Sequence, residues 1–81
     1  MRVNVLLFGA EARAVGAASV AIEVNENATC AGVMEVLARD SAVLRPMLPQ
    51  GRIALNGRFG GADERINASD EVALIGLVSG G

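Results

Sequence analysis

The sequence contains no lysine, histidine, tryptophan or tyrosine, and each absence narrows what the chain can do. With no histidine and a single cysteine, Cys30, there is no internal disulfide, no base to activate the thiol and no metal-ligating set. Cys30 is read as a small buried residue. The seven basic residues are all arginine (Arg2, Arg13, Arg39, Arg45, Arg52, Arg58, Arg65) and are scattered along the chain, so the basic stripe that tracks a phosphate backbone is missing. Nucleic acid is therefore not an expected partner. The only aromatics are Phe8 and Phe59, so the core has to be built from Val, Ile, Leu, Met and Ala. No apolar run approaches the roughly 20 residues that span a bilayer, and the N-terminus, with Arg2 then Asn4 inside a strand-like run, lacks a signal peptide's cleavage region. A cytoplasmic protein with no membrane partner is expected. The missing lysine has two readings. A chain whose end is chemically activated avoids acylating itself when it carries no side-chain amines, and GC-rich coding produces the same Ala-, Gly- and Arg-rich composition.

What is present fits one small domain. A chain of 81 residues with 52% hydrophobic and 20% charged residues has a globular composition rather than a disordered one. At this length about 60% of the unfolded surface is buried. The sequence closes on Val78, Ser79, Gly80 and Gly81, a stretch whose tip has no side chain and fits a channel too narrow for a Cβ. Extended at roughly 3.3 to 3.6 Å per residue, Gly76 to Gly81 carries a carboxylate about 20 Å from the last strand, far enough to enter a partner's active site. The other reading of such an end is simple fraying.

In order along the chain, Arg2 to Phe8 alternates as a strand, with Val3, Val5 and Leu7 on one face. Gly9 to Gly16 is short and alanine-rich and is read as a turn or a single helical turn. Ala18 to Val24 alternates again, predicting an antiparallel hairpin closed by Asn25, Glu26 and Asn27. Thr29 is an N-cap, and Cys30, Val33, Met34 and Leu37 recur at helical spacing as far as Asp40. Pro46 and Pro49 make Ser41 to Gly51 an irregular connection. Ile53 and Leu55 form a short strand, Asn56-Gly57 a tight turn, and Arg58 and Phe59 a brief return strand. The Gly60-Gly61 pair is read as loop freedom, Ile66 as a lone buried anchor, and Glu71 to Ile75 as the last strand.

A hairpin, one long helix, short strands and a final strand predict an α+β, β-grasp (ubiquitin-like) fold. In it a mixed sheet sets the last strand beside the first, and the main helix packs across one face. Residues 1–76 form the domain and 77–81 a flexible tail. The helix is expected to cover the face of Val3, Val5, Leu7, Val20, Ile22, Val24, Ile53, Leu55, Val72 and Leu74. Phe8, Phe59 and Ile75 are left on the open face near the departing tail. There they form either a protein-binding patch or the isolated exposed hydrophobics that most proteins carry.

Leu7-Phe8-Gly9-Ala10 followed by Gly16, the Asp70-Glu71-Val72-Ala73 entry to the last strand, and Val78-Ser79-Gly80-Gly81 together resemble the small subunit of molybdopterin synthase. That subunit is a MoaD-like sulfur carrier of the MoaD/ThiS superfamily, and the match runs the whole length. The resemblance implies a non-catalytic subunit that binds no cofactor itself. An E1-like (MoeB-like) adenylyltransferase would use ATP to adenylate Gly81, and a sulfur donor enzyme would convert the adenylate to a thiocarboxylate. The tail would then enter a MoaE-like large subunit and donate sulfur to a pterin precursor of the molybdenum cofactor. The resemblance also implies that Val78, Ser79 and Gly80 are the narrow tail and that Phe8, Phe59, Ile75 and Leu77 face partners. This chain departs from the pattern in having Gly76-Leu77 where Pro-Pro is usual, and Ala12 and Arg13 where Arg-Glu is usual. Alternatives are a thiazole-pathway (thiamine) sulfur carrier, a ubiquitin-like modifier of target lysines, and a β-grasp interaction module with an inert tail.

Overall fold

The computed structural model describes residues 1–76. In order, the chain forms β1 (Arg2–Leu6), α1 (Gly9–Val15), β2 (Ser19–Glu23), α2 (Cys30–Asp40), a 3-10 helix (Arg45–Gln50), β3 (Gly51–Leu55), β4 (Arg58–Phe59) and β5 (Val72–Gly76). The five strands form one mixed sheet in the order β2-β1-β5-β3-β4. The central pair, β1 and β5, is parallel, with Val5 opposite Val72 and Leu6 opposite Ala73, and every other pairing is antiparallel. This is the β-grasp arrangement expected from the element order.

Strand alternation sorts the side chains onto two faces. Val3, Val5, Ile22, Ile53, Leu55, Val72 and Leu74 point to the α2 side and are buried with Val33 and Leu37 of that helix. Val20 is only partly buried, because β2 is an edge strand and Val20 lies toward the end of the face that α2 covers. The α2 start follows the capping rule: the Thr29 hydroxyl accepts the Gly32 N–H at 3.2 Å.

Four expectations are corrected. The first strand stops at Leu6, and Gly9–Val15 is a helix of seven residues, longer than a single turn. Alanines at 10, 12 and 14 supply helix propensity without an apolar stripe. Gly16 ends the helix in the left-handed region at φ 79°, where its N–H bonds the Ala12 carbonyl at 2.8 Å. The stretch taken as irregular contains a 3-10 helix with Pro46 in its first turn, and Leu44 just before it and Leu48 within it close the core. The last strand reaches Gly76, one residue beyond the expected Ile75, and Gly76 pairs with Gly51. The expected anchor, Ile66, is buried.

Gly60 also differs from its reading as loop freedom. A Cβ there would lie 2.6 Å from the Cys30 Sγ and 3.3 Å from two Leu55 side-chain carbons, so the residue is glycine for space. Burial raises the Cys30 thiol above its ordinary pKa, with the nearby Glu64 carboxylate adding to the effect, which fits a packing role for the sulfur. Gly60→Ala is expected to destabilise the fold by about 1–3 kcal/mol through overpacking. Thermal unfolding checks this, with a loss of roughly 4–8 °C expected per kcal/mol for a domain of this size.

Candidate functional site

The open face of the sheet carries a groove lined by Phe8, Ala54, Gly57, Arg58, Phe59, Glu71, Ala73 and Ile75. Register explains how residues so distant in sequence meet. Ala54 of β3 pairs with Ala73 of β5 and with Phe59 of β4, so the three side chains share one face in a row across three strands. The two alanines make a shallow floor between larger neighbours. Phe59, 45% exposed, forms one wall. Phe8, 53% exposed, forms the other from the residue before α1, where the parallel β1–β5 pairing sets it beside the end of β5. Ile75 is half-buried between them.

The walls are braced. The Arg52 guanidinium lies over the Phe59 ring, 4.5 Å from its centroid, a cation–π contact that holds the ring while leaving its outer side open. Arg58 makes a two-pronged pair with Glu64: one nitrogen donates to Oε1 at 3.1 Å and another to Oε2. That bond, followed by the Gly61 N–H, lowers the Glu64 carboxyl below its ordinary pKa. The turn between β3 and β4 takes Asn56 and Gly57 into positive φ, at 53° and 85°. The Asn56 side chain then clamps this turn to the entry of β5. Its amide donates to Asp70 Oδ1 at 3.0 Å, and its oxygen accepts the Glu71 N–H at 2.9 Å. This clamp ties the turn that leads into Phe59 to the entry of β5. The Asn56 bond, followed by the Asn67 N–H, holds the Asp70 carboxyl below its ordinary range.

The structure thus brings three of the expected partner-facing residues, Phe8, Phe59 and Ile75, around one groove. Leu77 and the expected tail residues Val78, Ser79, Gly80 and Gly81 lie outside the described residues. Sequence reasoning missed Arg52, Ala54 and Glu71. The available signal was the outward alternation of Arg52 and Ala54, which places them on the same face as Ala73 and Ile75. Among the described residues, no helix is long and apolar enough to cross a membrane.

A ubiquitin-like domain with an apolar groove beside its last strand defines the class. The chain belongs to the ThiS family, whose family model matches residues 5–81. Among solved structures it is similar to the small archaeal modifier SAMP1 from Haloferax volcanii, at 25% identity and a TM-score of 0.84, covering 100% of both chains. It shares its fold with a protein designated molybdopterin converting factor subunit 1 from Pyrococcus furiosus (23% identity, TM-score 0.80, 96% of this chain and 99% of that one). A third similar structure comes from the complex of subunits 1 and 2 of the molybdopterin-converting factor of Helicobacter pylori 26695 (23% identity, TM-score 0.70, 100% of both chains). Among curated proteins, none matches this chain.

Proposed function

We propose that this chain is a cytoplasmic sulfur carrier, the small subunit of a molybdopterin synthase, which carries sulfur on Gly81 and depends on partners for catalysis. A carboxylate is a poor electrophile. An E1-like adenylyltransferase therefore first joins Gly81 to AMP with release of pyrophosphate from ATP, and a sulfur donor enzyme then displaces AMP to leave a thiocarboxylate. The large subunit supplies the electrostatic and acid-base groups for transfer to a pterin precursor, while this chain supplies reach and docking. The observation that carries the reading is the family match, which continues through Gly80 and Gly81, together with a groove that ends at the strand leading into them. The neighbour taken from a complex of subunits 1 and 2 supports a large-subunit partner.

A second reading, conjugation to lysines of other proteins, is favoured by one observation: the similar Haloferax volcanii protein is described as a modifier. A thiazole-pathway carrier shares the activation step and differs in the acceptor. Incubating the chain with a MoeB-like adenylyltransferase, ATP and labelled pyrophosphate is the direct assay. The proposal predicts label exchange into ATP that depends on Gly81, and no exchange with any adenylyltransferase of this type would sink it.

A further inference from the structure

The two edges of the sheet are not alike. β4, at one edge, is two residues long, whereas β2, at the other, is a full strand of five, Ser19–Glu23. Met1 and Val24 each donate to the other's carbonyl, and the Leu7 N–H donates to the Ala18 carbonyl at 2.8 Å. These bonds fix the alternation of the ladder. Residues 18, 20, 22 and 24 turn their main-chain groups toward β1, and Ser19, Ala21 and Glu23 turn theirs away from the sheet. No other strand or loop among the described residues pairs with those outward groups, and all three residues are exposed. The α1 helix lies elsewhere: its buried Glu11 sets it beside β5, with the carboxylate against Gly76.

An edge of this kind is a template for another strand unless something blocks it. The usual blocks are missing from β2, which has no proline, no lysine, no bulge and one charge, Glu23, at its end. Its sequence is self-complementary instead. A two-fold axis at Ala21 sets a second copy antiparallel, with Ala21 opposite Ala21 and Ser19 opposite Glu23 at either end. Each of these pairs then exchanges two main-chain hydrogen bonds, so every outward N–H meets an outward carbonyl. On the open face the Glu23 carboxylate of one copy faces the Ser19 hydroxyl of the other. The two Glu23 carboxylates stand four residues apart along the join, about 13 Å, beyond the screening length of about 8 Å at physiological salt. On the α2 face half-buried Val20 meets Ile22 of the second copy, and Ala18 meets Val24 at a notch lined by Val36 and Arg39. Centring the axis at Ile22 would instead bring the two carboxylates within two residues of each other, which favours the Ala21 register.

We propose that β2 is a self-association edge, at which two copies of this chain join antiparallel about Ala21 and merge their five-stranded sheets into one. The interface is isologous and closes on itself, so assembly stops at the dimer. Two five-residue strands bury less than the roughly 1,600 Å² of standard complexes, so the dimer is weak and depends on concentration. It leaves the groove over β5, β3 and β4 open in both copies, because β1 and β2 stand between the join and β5. A dimer therefore presents two grooves at once, which strengthens the hold on any partner with paired sites. The join does not rest on the sulfur-carrier reading.

The test is sedimentation equilibrium of the full chain between roughly 10 µM and 1 mM, with amide hydrogen exchange followed over the same range. A monomer–dimer equilibrium is expected. The Ala21 and Glu23 amides should exchange several-fold more slowly as concentration rises, while those of Val20 and Ile22, already bonded to β1, hardly change. Ser19→Glu sets carboxylates face to face twice in each dimer and should weaken dimerisation about fivefold, whereas Ser19→Arg sets a guanidinium opposite Glu23 and should strengthen it by a similar factor. Ala21→Pro removes an outward N–H without touching the β1 ladder and should give monomer throughout. Thermal unfolding of dilute samples checks that each variant folds, and if the proline variant does not, the opposite signs of the two Ser19 variants still decide. Phe59→Ala should dimerise as the unsubstituted chain does. A monomer at every concentration overturns the proposal. So does a dimer indifferent to both Ser19 substitutions, or one abolished by Phe59→Ala, which would place the contact at the groove.

Discussion

Removing Gly81 is expected to abolish adenylation and sulfur transfer while leaving the melting temperature unchanged. Both halves follow from where the core stops. Among the described residues the buried cluster ends at Leu74 and the sheet at Gly76, and the deletion falls five residues further along the chain. The chemistry has no such tolerance. Deleting one residue draws the terminal carboxyl back by about 3.5 Å. A misplacement of about 1 Å at a reacting centre already costs on the order of 100-fold. The remaining carboxylate on Gly80 has the same chemistry, so the loss measures position. Thermal unfolding and pyrophosphate exchange on the same sample separate the two halves. A drop in melting temperature would mean that the end of the chain packs on the domain.

Phe59→Ala is expected to weaken binding of the activating enzyme and of the large subunit by about 2 kcal/mol, close to 30-fold, with kcat at saturation unchanged. Phe59 combines the features of an interface anchor: it is a large aromatic, 45% exposed, braced from one side by Arg52 and set beside a floor of two alanines that admits a partner side chain. It sits in a two-residue strand at the sheet edge, so its truncation removes little packing and the fold should hold. Phe8→Ala should act in the same direction, because Phe8 forms the opposite wall. KM rising in Phe59→Ala with kcat constant would assign the groove to docking rather than to the chemistry. If Phe59→Ala binds both partners as the unsubstituted chain does, the groove is a bare sheet surface and docking lies elsewhere.

The parts of this account legible in the sequence are those carried by local pattern. The α2 helix runs over Cys30–Asp40 as its spacing and its Thr29 cap predict. The Asn56-Gly57 turn forms where the dipeptide stands, and period-two alternation sorted Val3, Val5, Val72 and Leu74 from Ala73 and Ile75. Adding the β-grasp topology brought Phe8, Phe59 and Ile75 to one face. What could not be read are contacts made by residues whose local sequence is silent about them. Glu11 looks like a surface charge in an alanine-rich segment, because nothing within α1 reveals that β5 runs alongside. Gly76 reads as a departure from the usual Pro-Pro and proves to leave the space that the Glu11 carboxylate occupies. Gly60 reads as loop freedom and proves to be room for the Cys30 sulfur.

The central claim, that Gly81 carries sulfur, is tested most directly by intact-mass spectrometry of the full chain recovered from cells that also express its activating and sulfur-donating partners. The account predicts a population heavier by the exchange of one oxygen for one sulfur, localised to Gly81 and absent from a Gly81 deletion. Gly81 found only in amide linkage to lysines of other proteins, or only as an unmodified carboxylate, would contradict it.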